Sequence, residues 1–416
     1  MSLKKINMNK IRTENAKANI NRDENFFVID EDRYNSTYLS VLLIANRDDK
    51  ISKEALGLTS ILLSISPFNR NIFDNSIHRI NFNFREGYGK YFLRCSLTEP
   101  LNQKTIIEPR MKMGKRLMKT IDSGWSKRSC DLKRALDIVK YKYAELDADP
   151  IFQLDRMMQL NFLTDLPLGK YPYGKLEKVQ KINHLDIDLA IEYLLKSNRM
   201  ATYIGNTNYR FVLASRNKIK PTIKIFPLTL PQKILPRGNN LEIENDSFKG
   251  NYVGFAFNLS QVHSEKVKLC HDILLAMLFN ETYGIMNDYL IDNNCKVIDV
   301  KLFVPTGCFC VYLYSYQDIS IDFIEEFERK VIDTYTSDIA SNFILIKHLL
   351  LNKLKEGFNN PEDLADYLFE GRLAGLDYSL ATMNDKLNSI TEEDFIAYSR
   401  KINLIGSIRI QGSENE

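Results

Sequence analysis

The same plan of secondary structure occurs twice along this chain, each copy filling about half of its 416 residues, and a repeat of that kind constrains the architecture more than any other feature. Lys181 to Leu195, followed by Met200 to Gly205, reads as a capped amphipathic helix running into a strand. Ser389 to Ile402, followed by Leu404 to Ile410, reads the same way. Asn183 and Thr391 stand at the N-cap, where a side-chain oxygen can accept from the free amides of the first turn. Ile182 and Asp186 correspond to Ile390 and Asp394 at an offset of half the chain.

The parallel continues upstream. Thr37 to Asn46 and Asn251 to Leu259 are expected as strands, each followed by a helical pattern, Lys53 to Ser64 and Glu265 to Asn280. A hairpin comes next in both halves: Arg79 to Phe84 and Lys90 to Leu97 flank Arg85 to Gly89, while Val297 to Val304 and Phe309 to Tyr316 flank Pro305 to Cys308. Further helix is expected over Thr105 to Ile121 and Asp131 to Phe162, then over Asp322 to Tyr335 and Ile339 to Leu376. Between the halves, Lys218 to Gly250 carries Pro221, Pro227, Pro231 and Pro236, which disfavour a regular helix. The expected organisation is an N-terminal domain over 1–217, a linker over 218–250 and a C-terminal domain over 251–416. Antiparallel hairpins covered on one side by helices make a sandwich layer, so the expected class is α+β with two homologous domains. Two such layers facing one another would leave a cavity between them.

Apolar residues make up 44% of the chain and charged residues 26%, a composition that supports a large core. The formal charge of +3 gives no global argument for nucleic acid or a membrane surface. Met1 to Asn19 is polar and basic, and no stretch approaches the ~18 apolar residues of a spanning helix, so a cytoplasmic location is expected. Cys95, Cys130, Cys270, Cys295, Cys308 and Cys310 form no C-x-x-C pair and are expected as reduced thiols. Cys308 and Cys310 would share a sheet face, where a metal or redox role competes with plain burial.

The duplicated plan resembles the pitrilysin/insulinase superfamily of zinc peptidases, whose smaller processing-peptidase-like members pair two such chains around a closed chamber. The best local match is Leu166 to Ile182, in which Pro172, Tyr173 and Gly174 are similar to a Pro-Tyr-Gly segment ahead of the last helix of the first domain. The resemblance implies an H-x-x-E-H helix, two histidines holding zinc and a glutamate acting as base on the bound water. The matching helix lies within 53–66. If Gly57 stands three residues before the first histidine position, the motif falls on Ser60, Ile61, Leu62, Leu63 and Ser64. Serine is a poor zinc ligand and Leu63 cannot accept a proton. The third ligand, a glutamate on a later helix, falls near Lys142, with Glu145 as a neighbour. The superfamily also supplies an Arg and a Tyr seven residues apart that bind the substrate carbonyl. Those positions fall on Ile291 and Ile298, with Tyr289 and Lys296 at the same separation two residues earlier.

The five histidines, His78, His184, His263, His271 and His348, are dispersed, and only Cys270 and His271 adjoin, so no metal and no cofactor is expected. Lys104 to Lys142 is rich in lysine and arginine, including Lys115 and Arg116, and reads either as a wall for an acidic peptide or as a solvated helix face. The function that follows from the resemblance is a non-catalytic subunit of a zinc-peptidase-like heterodimer that helps to bind or process a peptide. Its partner would be an active homologue or, in a homodimer, a second copy. A peptide-binding or assembly module without a peptidase partner is the alternative. Nucleic acid and a membrane span are not expected.

Overall fold

The computed structural model describes residues 25–413 except 31–33, 35, 47–50, 66–79, 88–89, 101–106, 124–128, 163–170, 206–208, 223–239, 260–261, 263, 304–306, 334–338, 357–359, 377–379 and 401. Two compact units are present. The first comprises Met1–Tyr143, Lys170–Leu228 and Gly357–Leu373; the second comprises Ala144–Gly169, Thr229–Glu356 and Ala374–Glu416.

The sheet of the first unit has five strands in the order β1 (Phe26–Asp30), β5 (Asn198–Gly205), β2 (Ser36–Asn46), β4 (Lys90–Pro100) and β3 (Ile80–Gly87). All neighbours are antiparallel except β1 with β5. The second unit repeats that order with β6 (Leu241–Lys249), β10 (Asn403–Ser413), β7 (Asn251–Asn258), β9 (Cys308–Ser315) and β8 (Cys295–Phe303), and β6 is again the parallel edge. The duplicated α+β architecture expected from the repeat is present, and each sheet carries one edge strand more than the expected plan.

In the first unit, α1 (Lys53–Ile65), α2 (Ile107–Ser123), α6 (His184–Lys196) and α7 (Tyr209–Ile219) supply the apolar partners of one sheet face. Leu56, Met113, Leu117, Leu194 and Val212 pack there against Leu39, Val41, Leu43, Leu93 and Cys95. Alternate strand residues point to opposite faces, which is why the odd positions of β2 and β4 take this role together. Helix α6 opens with a capping box between Asn183 and Asp186, and α14 (Glu392–Ser399) opens with the same device between Thr391 and Asp394.

The helix expected over Asp131 to Phe162 is two helices, α3 (Ser129–Ala148) and α4 (Pro150–Phe162). Pro150 cannot continue the hydrogen-bond ladder and disfavours helical backbone in the residue before it. It starts a new helix instead, with Asp149 accepting from the amide of Ile151 at 2.9 Å. The second half repeats the break, α11 (Ile339–Glu356) ending before α12 (Pro361–Leu373), where Asn360 accepts from the amide of Asp363 at 2.8 Å. The helix after each Asx-Pro step belongs to the other unit. Helix α4 lays Leu154, Met158 and Phe162 on the second sheet, so closely that a Cβ on Gly406 would lie 2.5 Å from the Phe162 ring. Helix α12 lies with the first unit, where Phe369 meets Phe27 edge-on at 6.4 Å.

The stretch expected as a linker over 218–250 contains regular structure at both ends. Lys218 and Ile219 finish α7, and Leu241–Lys249 form β6, because β10 has an open edge that takes a parallel partner. No described helix is long and apolar enough to cross a membrane.

Candidate functional site

Helix α1 is buried from Lys53 through Leu63, nearly all round, as expected of a helix that is apolar on every side. Ser52 opens it, accepting from the amide of Ala55 at 3.1 Å. Its hydroxyls turn inward onto their own helix. Thr59 donates to the Ala55 carbonyl at 2.7 Å, Ser60 to Gly57 at 2.7 Å and Ser64 to Ser60 at 2.8 Å. Ser60 is 2% exposed and Leu63 is equally enclosed, while Ser64 is exposed.

Lys142 projects from α3 toward the Pro-Tyr-Gly segment and donates to the phenolic oxygen of Tyr173 at 3.0 Å. Beside it, Tyr143 donates to the carbonyl of Gly174 at 2.7 Å and accepts from the amide of Tyr173 at 3.2 Å. Burial pushes the Tyr143 phenol above its usual pKa, so it stays a neutral donor. The segment is clamped from the other side by α1. The Glu54 carboxylate accepts from the amide of Lys175 at 3.2 Å, and a Cβ on Gly57 would lie 3.0 Å from Tyr173 Cα. Gly174 has φ +87°, a left-handed conformation that favours glycine. Helices α1 and α3 are thus joined through Tyr173 and Gly174.

No family model matches this sequence, and no characterised protein matches it in sequence. Solved structures do match. A conserved protein from Enterococcus faecalis superposes with a TM-score of 0.73 at 10% identity, covering 94% of this chain and 97% of that one. A protease from Helicobacter pylori superposes at 0.70 with 11% identity over 93% of this chain and 96% of its own. A protein from Pseudomonas fluorescens described as a peptidase M16 inactive domain gives 0.68 with 12% identity, over 93% and 95%. The fold is that of the M16, pitrilysin-type peptidases.

Against the zinc centre that the M16 fold implies, the donor set does not fit. Ser60 and Ser64 present neutral hydroxyls already spent on helix carbonyls, and Lys142 presents a hydrogen-bonded amine where an anionic ligand would be needed. Glu145 is exposed on α3. Among the described residues no group of three or more His, Cys, Asp or Glu could hold a metal ion. His184 and His348 are exposed, His271 is buried, and His78 and His263 lie outside the described residues. Cys95, Cys270, Cys295, Cys308 and Cys310 are buried and form no disulfide with one another, Cys308 and Cys310 share one core cluster, and the Cys130 side chain lies outside the described residues.

The second unit holds Ile291 and Ile298, the residues on which the resemblance would place the Arg and the Tyr. Ile291 is 70% exposed on α9 (Met286–Asp292), and Ile298 is 38% exposed on the edge strand β8. The register slips by one residue between Val297 and Asp299, which makes Ile298 the extra residue of a bulge. Tyr289 is occupied elsewhere: its ring stacks on Phe323 at 5.5 Å, and its hydroxyl donates to the Phe323 carbonyl and the Glu326 carboxylate, each at 3.4 Å. Lys296 is exposed on β8 opposite Tyr314.

The basic stretch divides. Lys115 is exposed on α2, but Arg116 turns inward and pairs at 3.0 Å with Glu99, whose side chain is buried. Arg116 therefore neutralises a core carboxylate, while Lys104, Lys127 and Arg128 lie outside the described residues. Sequence reasoning missed Glu54 and Tyr143, which hold the Pro-Tyr-Gly segment, because each is recognised only through a partner far along the chain.

Proposed function

We propose that this chain is a non-catalytic, M16-like subunit that works beside an active homologue and contributes a peptide-holding wall to a shared chamber. The observation that carries this reading is the state of the α1–α3 junction. The scaffold around Gly57, Tyr143, Tyr173 and Gly174 is fully bonded, while Ser60, Leu63, Ser64 and Lys142 offer neither zinc ligands nor a base. A chain that retains the frame and lacks the chemistry is suited to a partner's role. An extended peptide needs only backbone hydrogen bonds from a sheet edge, and both sheets end in edge strands. The domain limits over 1–217 and 251–416 remain part of this proposal as the units that diverged from one ancestor.

Co-expression with a homologue carrying H-x-x-E-H tests the reading. The expected result is a one-to-one complex whose peptidase activity requires both chains. An active homologue that cleaves equally fast alone and does not co-elute would refute it. The second reading, a peptide-binding module acting without a peptidase, draws on the exposed Ile298 at the bulge of edge strand β8. A symmetric dimer that binds peptide without cleavage would favour that reading.

A further inference from the structure

The two units differ beside one helix. In the first, α7 lies along α2, so closely that a Cβ on Gly114 would fall 2.7 Å from the Ser215 Cα. Phe211, Val212, Ser215 and Ile219 form the buried face of α7. Its last turn reaches the start of β5, where Arg199 Nη1 donates to the Ile219 carbonyl at 2.8 Å. In the second unit, helix α10 (Ile321–Asp333) stands in the place of α2, and β10 in that of β5. Met113, Leu117 and Ile121 on α2 match Phe323, Phe327 and Val331 on α10, each set buried at one-turn spacing. Gly114 and Met118, on the side of α2 that faces α7, then fall on Ile324 and Glu328.

Among the described residues, no helix packs along that side of α10 as α7 packs along α2. A groove of about 600 Å³ runs there instead, between Glu325, Glu328 and Ile332 of α10 and Ile402 and Leu404 at the start of β10. Ile332 and Leu404 are half-buried and give the groove an apolar floor with Ile402. The two seats also differ in sign. In sequence, α2 holds Arg110, Lys112, Lys115, Arg116 and Lys119 against Glu108 and Asp122. Helix α10 holds Asp322, Glu325, Glu326, Glu328 and Asp333 against Arg329 and Lys330. Helix α7 carries Arg210, Arg216 and Lys218 and no acidic residue. Apolar packing therefore holds α7 on a helix of its own charge, whereas a helix of the same kind would meet the opposite charge on α10.

We propose that this groove seats a basic amphipathic helix supplied by a partner protein. Its apolar side chains, one turn apart, lie on Ile332, Ile402 and Leu404, and its basic side chains face the exposed carboxylates Asp322 and Glu325 at the rim. The apolar floor holds the helix, and the rim charges speed and select its arrival without having to be desolvated. The groove lies by β10 and Asn240, just ahead of β6, on the opposite side of the sheet from edge strand β8. A peptide held along β8 would not compete for it, so the seat stands or falls independently of the peptidase reading.

The internal counterpart supplies the probe: a fluorescein-labelled peptide with the sequence of Tyr209 to Lys220, titrated with the full chain and read by fluorescence anisotropy. Saturable binding at micromolar concentration is expected, since so short a helix must order as it docks. A scrambled peptide of the same composition should bind about tenfold more weakly or worse, which separates a helical fit from plain charge. Glu325→Lys, at an exposed position, should weaken the native-sequence peptide by about threefold to tenfold while circular dichroism and melting stay those of the native chain. Ile332→Asp should weaken it by more than about tenfold. The absence of saturable binding at submillimolar concentration overturns the proposal. So does a scrambled peptide that binds as tightly, or binding that survives both substitutions, which would place the peptide on α2 in exchange for α7. A native chain that dimerises, and becomes monomeric on Ile332→Asp, would give the groove to a second copy and overturn the proposal as well.

Discussion

Lys142 donates a hydrogen bond to Tyr173 at 3.0 Å, so the side chain at the expected position of the third zinc ligand ties helix α3 to the Pro-Tyr-Gly segment. The neighbouring Tyr143 carries more of that junction, because it is buried and bonds both sides of the Tyr173–Gly174 peptide. Tyr143→Phe should lower unfolding free energy by about 1–3 kcal/mol, since it strands a buried carbonyl and amide. Lys142→Ala, at a half-buried site, should cost less than about 1 kcal/mol. Urea denaturation of both variants measures the order, and an equal loss would contradict the assignment.

Asp155 on α4 gathers three donors, Tyr312, Lys301 at 2.8 Å and Gln159 at 2.9 Å. Burial raises the pKa of the Tyr312 phenol, which keeps it protonated as the donor. Asp155→Ala leaves that buried hydroxyl unpaired and should destabilise by about 2–3 kcal/mol, read by chemical denaturation. Asp155→Asn keeps an acceptor and should recover part of the loss.

Arg94 on β4 pairs with both Glu362 and Asp366, one turn apart on α12, and Asp366 holds the guanidinium pKa up against burial. Arg85 adds a looser pair with Glu370 at 3.6 Å. Arg94→Leu should loosen α12 by about 2 kcal/mol, seen as faster amide exchange there. Exchange in α4, held by Leu154, Met158 and Phe162 on the second sheet, should not change.

His271 is buried on α8 (Glu265–Phe279), its ring 5.0 Å from that of Tyr398, and neither ring nitrogen has a hydrogen-bond partner among the described residues. Burial, aided by Lys268, pushes its pKa down to about 3. The unfolded chain, with an ordinary value of about 6.5, then binds the extra proton first as pH falls. The contribution is therefore fully present above about pH 6.5 and is lost as pH falls through the folded value near 3. Stability measured across that window should fall less steeply in His271→Leu than in the native chain.

The repeat, the paired capping boxes and the central hairpins were legible because each depends on residues close together in sequence. The Asx-Pro steps at Asp149–Pro150 and Asn360–Pro361 were passed over in the helices expected over Asp131 to Phe162 and Ile339 to Leu376, and only the fold shows that each sends the next helix to the other unit. Edge strands β1 and β6 escaped because their parallel pairing comes from distant strands, β5 and β10. The candidate site was read only as an expected departure from the motif at Ser60, Leu63, Ser64 and Lys142. The bonds that occupy those side chains were not, since Tyr173 meets Lys142 across a gap of 31 residues.

Zinc content of the purified chain, read by elemental analysis alongside peptide hydrolysis, tests the central claim most directly. The arrangement of Ser60, Leu63, Ser64 and Lys142 predicts no stoichiometric zinc and no hydrolysis by the chain alone. Stoichiometric zinc that disappears in a Ser60→Ala, Ser64→Ala variant, together with peptidase activity, would contradict it.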